Sequence, residues 1–269
     1  MERLRPKPPW VCVAILVSVL FLLYLPMLYL VGGSFIDQTT GNLILTFRWY
    51  QEVFADQSLL EALARSLVLA VVSSLISTSL GTMASLALFR HGFKGRRLLE
   101  GLSMLSLVMP ELVFALSLLS WFFILKFELS LQTVVIAHVT FTISFVILTI
   151  KARLASMDES LNDAARDLGA SEWVILFKVT LPLLRPALLT SFLLCFLLSF
   201  DDFLITFFTS GVGSDTLPIK LYTSMKMGHS PKLNALSSLM IFISIALILV
   251  VVRSKSFRDL WSSGAKVKN

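Results

Sequence analysis

The chain has 269 residues, of which 56% are hydrophobic and 15% are charged. Globular domains are on average about 45–50% apolar and about 25% charged, so this composition departs from theirs in both directions. It excludes an intrinsically disordered chain, a secreted disulfide scaffold and an ordinary soluble enzyme. The net charge of +6 does not indicate a nucleic-acid partner, because most charges lie at the edges of long uncharged stretches.

Six apolar segments are each long enough to form a membrane-spanning helix, which needs about 20 mostly apolar residues. In chain order they are Trp10 to about Val31, the stretch between Arg65 and Arg90, Gly101–Leu125, the stretch between Glu128 and Lys151, Pro186 to Asp201–Asp202, and the stretch between Lys232 and Arg253. The sequence therefore predicts an all-α integral membrane protein with six transmembrane helices. No small-residue cleavage site follows the first segment, so we expect it to be retained and not removed as a signal peptide.

The distribution of Lys and Arg predicts the orientation of the chain. With a cytoplasmic N-terminus, 17 of the 23 Lys and Arg residues fall in cytoplasmic segments and 6 fall outside. The positive-inside rule then places both termini in the cytoplasm. We divide the chain into an N-terminal helix with its outer loop (1–57), a transmembrane core (58–253) that contains a long inner loop (155–182), and a cytoplasmic tail (254–269).

The second apolar segment carries a stripe of small residues. Ser77, Gly81 and Ser85 are spaced four apart, so on a helix they share one face and allow another helix to approach closely. They predict a packing seam in preference to a substrate path.

Cysteine and histidine give no sign of a metal site. Cys12 and Cys195 lie inside apolar stretches and are expected to be packed thiols. His91, His138 and His229 are far apart in sequence and form no metal-binding motif. We therefore expect no metal, and we interpret His138 as a residue that packs or hydrogen-bonds between helices.

The inner loop 155–182 is predicted to form two short helices. Ser156 and Glu159 fit a capping box at the start of the first helix, and Gly169 is expected to end it. Ser171 is expected to cap the second helix, which should stop before Pro182. The first helix would carry an apolar face formed by Leu161, Ala164, Ala165 and Leu168. On these grounds the loop is either a docking element or a hairpin that merely joins two spans.

Part of this loop, DAARDLGASEWVILFKVTLP, resembles the EAA motif of ABC importer permeases, EAA-x3-G-x9-I-x-LP. Every spacing of the motif is kept, with Asp in place of Glu and Val in place of Ile. The residues at the motif positions are Asp163, Ala164, Ala165, Gly169, Val179, Leu181 and Pro182. In that family the loop is a coupling helix that sits in a groove of the ATPase subunit. The resemblance implies the same role for these residues and for Glu172 beside the loop.

Nearly the whole chain is similar to the spermidine/putrescine permeases of the PotC type, which are type I importer permeases of the MetI-like, EAA-motif family. The segments that carry the likeness are FRWY, HVTFTISFV, LSFDDFLITFFTSG, LPIKLYTSMKMGHSPKLNAL and NALSSL. The resemblance implies the type I ABC importer permease fold and a transport subunit, not an enzyme, in the bacterial inner membrane. It also implies three kinds of partner: a second permease subunit in a heterodimer, an ATPase dimer and an extracytoplasmic binding protein.

Nucleotide chemistry is not expected in this chain. The sequence contains no GxxxxGK[ST] phosphate loop, so ATP with Mg would be bound and hydrolysed by the partner ATPase. We expect no cofactor in the chain itself, and membrane lipid but no nucleic acid around it.

Three carboxylates lie in apolar stretches, where a charge is costly and usually faces a cavity or a partner. Glu111 is expected near the centre of the third span, roughly 16 Å deep at about 1.5 Å per residue. Asp201 and Asp202 end the fifth span near the outer face. A structural alternative for Glu111 is an ion pair with His138, and for the aspartates a role at the helix end.

Polyamines carry ammonium groups several methylenes apart, so separated carboxylates and aromatic walls suit them. By resemblance, residues that match positions associated with polyamine passage are Trp49, Glu111, Ser199, Asp201 and Asp202. Glu111 stands where the family commonly has aspartate. Trp49 is either a cation–π partner or an interfacial anchor.

The chain thus has one preferred function and several rivals. The preferred one is the permease subunit of an ATP-driven polyamine importer. The alternatives are a permease for another small solute, a gradient-driven secondary transporter or channel that uses Glu111, and a membrane-embedded enzyme. A secondary transporter would leave the EAA-like loop without a use.

Overall fold

The computed structural model describes residues 10–37, 44–90, 92–228 and 231–253. Over these residues the chain is almost entirely helical, with one small two-stranded sheet. It divides into two compact units. Among the described residues, one unit contains 10–57 and Leu221–Ile243, and the other contains Ser58–Lys220 and 244–253. The tail 254–269 lies outside the described residues, and the predicted domain limits stay predictions.

The first unit joins the N-terminal helix to a short hairpin and to the start of the last helix. Its elements are α1 (Trp10–Gly33), β1 (Ile36–Asp37), β2 (Ile44–Leu45), α2 (Arg48–Ala55), the end of α11 (Leu217–Lys226) and the first half of α12 (Pro231–Arg253). The strands are antiparallel, with Ile36 opposite Leu45. Lys232 forms a 2.7 Å ion pair with Asp56, and thus ties the start of α12 to the end of α2.

The second unit contains most of the apolar helices. Its elements are α3 (Gln57–Arg90), α4 (Arg96–Val108), α5 (Glu111–Ile124), α6 (Leu131–Ala155), α7 (Ser160–Asp167), α8 (Glu172–Ile175), α9 (Leu181–Phe200), α10 (Leu204–Thr209), and parts of α11 (Leu217–Lys226) and α12. A π-helical turn, Leu176–Thr180, connects α8 to α9. Ser130 caps α6, because its hydroxyl accepts a hydrogen bond from the N–H of Gln132.

The core of this unit lies where α6 packs against its neighbours. One cluster joins α6 to α9 through Val146, Ile150, Leu184 and Ala187. A second joins α5, α6 and α10 through Ala115, Phe122, Ala137 and Ile205. Helix α6 is therefore the central element on which the others are arranged.

The predicted packing seam on α3 is confirmed, and its partner is α6. The hydroxyls of Ser77 and Thr142 are 2.7 Å apart. A Cβ atom at Gly81 would lie 2.7 Å from Cβ of Val146, so only glycine allows the two helices this distance. Ser85 lies on the same face, 3.4 Å from the carbonyl oxygen of Ile147.

Among the described residues, four helices are long and apolar enough to cross a membrane: α1, α3 over Gln57–Phe89, α6 and the continuous helix Glu172–Phe200. The prediction of a straight third helix over Gly101–Leu125 is wrong. That segment forms α4 and α5, which are bent by 115° at Met109–Pro110 and count as a fifth span only when taken together. Proline lacks a backbone N–H and disfavours helix at the residue before it, which explains the break.

Candidate functional site

A cavity of about 480 Å³ in the second unit brings together three of the predicted site residues. Its described lining residues are Glu111, Phe141, Leu194, Leu197, Leu198, Asp201, Asp202, Phe203 and Leu204. Three of these are acidic, none is basic, and two are aromatic. The cavity lies where α9 ends, α10 begins and α5 starts, so its acids come from chain segments that are far apart in sequence.

Asp202 is the most buried of the three acids, at 8% exposed. Its carboxylate accepts hydrogen bonds from the N–H groups of Ile205 and Thr206, at 3.3 and 2.8 Å, and so caps the short helix α10. It also accepts a 2.7 Å bond from the Thr206 hydroxyl. Nε2 of His138 lies 3.2 Å from the same carboxylate. The aspartate is thus held by donors from two helices.

Ser199 and His138 stand behind Asp202, in the buried layer between α3, α6 and α9. The Ser199 hydroxyl is 2.6 Å from Nδ1 of His138 and 2.9 Å from the hydroxyl of Ser73. The prediction that His138 hydrogen-bonds between helices is confirmed. The sequence allows His138 as a partner of Glu111, but its pairing with Asp202 was not predicted.

Glu111 is the first residue of α5, immediately after the bend at Pro110. The depth of roughly 16 Å assumed a straight helix, so that estimate does not hold. A carboxylate at a helix N-terminus is stabilised by the helix dipole. Glu111 lines the cavity together with Asp202, and the described ion pair of His138 is with Asp202 and not with Glu111.

Asp201 and Trp49 are the remaining residues predicted for substrate passage, and they lie in different units of the chain. Asp201 is the C-cap of α9 and is exposed beside the cavity. Trp49 belongs to the first unit, where its indole N–H donates to the carbonyl of Ile36 at 3.2 Å and the guanidinium carbon of Arg48 lies 5.3 Å from its ring centre. Its predicted role in substrate passage stays a prediction.

The inner loop forms the two predicted short helices, with corrections at both ends. Gly169 has φ +81° and ends α7, and Ser171 caps α8, as predicted. The capping box of Ser156 and Glu159 is wrong, because the Ser156 hydroxyl bonds back to the carbonyl of Arg153.

Asp158 takes the capping role at the start of α7. It accepts a 3.0 Å bond from the N–H of Ser160. Its hydrogen bonds with the side chain and backbone of Ser160 hold the pKa of Asp158 below its usual range.

The expected stop before Pro182 is also wrong. The π-helical turn ends at Thr180 and the helix continues through Leu181 and Pro182 into α9. Pro182 stands in the first turn of α9, at a position where a missing N–H is tolerated. The helix that contains the fifth span therefore begins at Glu172, well before the predicted Pro186.

One arginine joins the two helices of the inner loop. Arg166 forms ion pairs with Glu172 on α8 and with Asp163 on α7, each at 2.8 Å. Its hydrogen bond with Glu172 raises the pKa of Arg166, and the bond with Asp163 adds to this. Asp163, the acidic residue of the EAA-like segment, is thus part of a network that links α7 to α8.

The apolar face of the loop is uncovered in the chain. Leu168 is 89% exposed and Trp173 is 69% exposed, and Leu161 and Ala164 are also exposed. Beside them is a second cavity, of about 560 Å³, which Phe89, Met157 and Trp173 help to line. Large apolar side chains exposed on a short, internally braced loop are typical of a protein interaction surface.

A family model described as "Binding-protein-dependent transport system inner membrane component" matches residues 77–260. The chain belongs to this family. It is therefore an inner-membrane transport component, and the resemblance read from the inner loop is confirmed.

Two relatives that transport polyamines are similar to most of the chain. The chain is 35% identical to the spermidine/putrescine transport system permease protein PotC of Escherichia coli, over 87% of this chain and 90% of that protein. It is 36% identical to the putrescine transport system permease protein PotI of Escherichia coli, over 87% of this chain and 86% of that protein. Both relatives are transport permeases and neither is named as an enzyme.

Solved structures agree on the fold. A bacterial ABC transporter involved in the import of the acidic polysaccharide alginate matches with a TM-score of 0.70 at 16% identity, over 90% of this chain and 93% of that chain. The MetNI methionine ABC transporter matches with a TM-score of 0.62 at 18% identity, over 72% and 93%. The chain therefore has the mostly helical ABC importer permease fold, with four or five apolar spans among the described residues.

Proposed function

We propose that the chain is the permease subunit of an ATP-driven importer of polyamines of the spermidine/putrescine class. The observation that carries the proposal is the cavity with three acidic side chains and no basic one among its described lining residues. The identity of about a third to the polyamine permeases PotC and PotI supports the same substrate class.

The chemistry of the cavity suits a flexible polycation. Glu111 and Asp202 line the same cavity, so a cationic group bound there offsets the repulsion between two ionised carboxylates. Phe141 and Phe203 offer apolar and cation–π contacts to the methylene chain and the ammonium groups. Cavity-facing carboxylates inside an apolar segment are the usual mark of a cation path.

The proposed topology has six spans and both termini in the cytoplasm. Supporting it are the described apolar helices, the bent pair α4 and α5, and the excess of Lys and Arg in the segments assigned to the cytoplasm. The inner loop is then cytoplasmic, and its exposed apolar face is the proposed contact with an ATPase dimer. The residues proposed for that coupling are Asp163, Ala164, Ala165, Gly169, Glu172, Leu181 and Pro182.

The other partners follow from the family. A second permease subunit would supply the remaining half of the path, and an extracytoplasmic binding protein would deliver the substrate. ATP with Mg would be held by the ATPase, and this chain itself would hold no cofactor.

Uptake by the reconstituted complex tests the proposal. We expect transport of labelled spermidine or putrescine, and no transport of iron or thiamine. Glu111→Gln and Asp201→Asn should each lower polyamine uptake by about tenfold or more, because each removes a charge that pairs with an ammonium group. Assembly with the partner subunits should persist in both variants.

The matched control is Glu128→Gln, which neutralises an exposed carboxylate on the loop before α6, outside the cavity lining. This variant should transport as the unmodified chain does. Wild-type uptake in both cavity variants would refute the assigned path, and uptake of iron or thiamine in place of polyamine would refute the substrate class.

A further inference from the structure

The hydrogen-bond pattern around His138 fixes which of its ring nitrogens carry hydrogen. His138 is 1% exposed and contacts three polar side chains, Ser199, Asp202 and Thr206. A neutral imidazole has one N–H donor and one bare acceptor nitrogen, whereas an imidazolium has two donors. The partners of each nitrogen decide between these forms.

Nε2 faces groups that cannot donate to it. The Thr206 hydroxyl gives its single hydrogen to the Asp202 carboxylate at 2.7 Å, so at 3.0 Å from Nε2 it can only accept. The Asp202 carboxylate, 3.2 Å away, is itself an acceptor. Nε2 therefore carries hydrogen and donates to this pair.

Nδ1 faces a chain of two hydroxyls that ends on a backbone carbonyl. Ser73 donates to the carbonyl of Leu69 at 2.7 Å, so in its 2.9 Å contact with Ser199 it must accept. Ser199 then donates its single hydrogen to Ser73. It can therefore only accept a hydrogen bond from Nδ1, which lies 2.6 Å away. If Nδ1 were bare, Ser199 would have to donate to it, and one bond of this buried chain would be lost.

We propose that His138 is a cationic positioning residue of the substrate path, donating through Nδ1 to Ser199 and through Nε2 to Asp202 and Thr206. It thereby joins α6 to the end of α9 and to α10. An imidazolium beside a buried carboxylate also balances a charge that an apolar segment otherwise makes costly. This inference rests on the proposed function for its link to transport, though not for its account of the hydrogen positions.

The arrangement assigns different tasks to the two oxygens of Asp202. Oδ2 takes the bonds from the N–H and the hydroxyl of Thr206 and from His138. Oδ1 takes the longer, 3.3 Å bond from the N–H of Ile205. With Oδ2 held in place, Oδ1 keeps the larger capacity to accept from an ammonium group in the cavity. Loss of His138 would let the carboxylate turn and would remove its counter-charge.

Magic-angle-spinning NMR of the assembled complex in lipid tests the hydrogen positions. The chain has three histidines, so replacing His91 and His229 by Gln leaves His138 as the single labelled ring when only this subunit carries isotope-labelled histidine. We expect both ring nitrogens to give protonated resonances at neutral pH. A resonance from a bare ring nitrogen would overturn the inference, whether or not the complex transports polyamine.

Uptake by variants tests the positioning role. His138→Leu should lower polyamine uptake by about tenfold or more, and His138→Gln, which keeps an N–H donor, should restore part of it. Thr206→Val removes one hydroxyl of the network at nearly constant volume and should lower uptake by a smaller factor. The control is Thr140→Val on α6, whose hydroxyl bonds the carbonyl of Ile136 in its own helix.

The outcomes separate the two proposals. Full uptake by an assembled His138→Leu complex would overturn the positioning role. Should His138→Leu fail to assemble, wild-type uptake by Thr206→Val would overturn it instead. A wild-type complex that takes up no polyamine would refute the proposed function, and the NMR spectrum would still decide the state of His138.

Discussion

At the scale of single residues, Asp202 shows how a carboxylate is accommodated inside an apolar segment. Its charge is met by two backbone N–H groups, a hydroxyl and an imidazole, all within 3.3 Å. Each such bond to an ionised group contributes about 1.5–3 kcal/mol, which offsets much of the cost of burial. The acid is therefore both a stabilising cap of α10 and a wall of the cavity.

Gly81 gives a residue-scale prediction about stability. Gly81→Ala places a Cβ 2.7 Å from Cβ of Val146 and 3.3 Å from the carbonyl of Ile143, so α3 and α6 must move apart. We expect a loss of about 1–3 kcal/mol of stability, typical of overpacking. Thermal denaturation of the purified complex measures it.

Gly101→Ala on α4 is the matched control, since a Cβ there has open space. Alanine favours helix over glycine, so this variant should melt at the same temperature or higher. Equal melting temperatures for Gly81→Ala and the unmodified chain would show that the seam is not tightly packed.

At the scale of elements, the inner loop shows what a sequence can predict. Gly169 and Ser171 act through local backbone geometry, which residue type alone indicates, and both predictions are confirmed. The continuation of the helix through Pro182 depends on the π-helical turn Leu176–Thr180, which no residue pattern predicts. The meeting of His138, Ser199 and Asp202 likewise depends on how α6 packs against α9, so only the separate residues, and not their network, could be found in advance.

Gly169 gives the prediction for this element. Its φ of +81° strains residues with a side chain, and β-branched ones most, although a Cβ there meets no neighbour. Gly169→Val should therefore distort the turn between α7 and α8, and either weaken ATPase binding or uncouple ATP hydrolysis from uptake. Co-purification of the ATPase and the ratio of ATP hydrolysed to substrate transported measure both effects.

Gly169→Asn distinguishes an effect of backbone strain from an effect of side-chain bulk at this position. Asparagine tolerates the left-handed conformation better than other residues with a side chain, so this variant should retain most of the coupling. Loss of coupling in both variants alike would mean that side-chain bulk at the docking surface, and not backbone strain, is responsible.

At the scale of the whole molecule, composition and charge predicted the class of protein and most helices. The apolar segments that became α1, α3, α6 and α9 are recognisable from length alone. The division into two units could not be predicted from the sequence, because it depends on the pairing of the N-terminal unit's residues with Leu221–Ile243. The bend at Met109–Pro110 was not predicted either, because a straight helix and a broken helix of the same sequence have the same hydropathy.

Reporter fusions test the proposed six-span topology. Alkaline phosphatase fused after Leu45, in the proposed outer loop, should be active because it reaches the periplasm. A fluorescent protein fused at the C-terminus should fluoresce because that end is cytoplasmic. A fluorescent C-terminal fusion together with an inactive phosphatase fusion would contradict the placement of the first loop, and a dark C-terminal fusion of full expression level would contradict an even number of spans.

The bend between α4 and α5 has a consequence for hydration. The two helices have 13 and 14 residues, about 20 Å each at 1.5 Å per residue, so neither crosses a hydrocarbon layer of about 30 Å alone. Open backbone is tolerated at such a depth only against protein or water. The break ends at Glu111, so the polar surroundings that the free ends of α4 and α5 require lie beside this acid of the cavity. We therefore expect a cation to reach Glu111 at a point where the protein already provides polar partners, and not within a purely apolar layer.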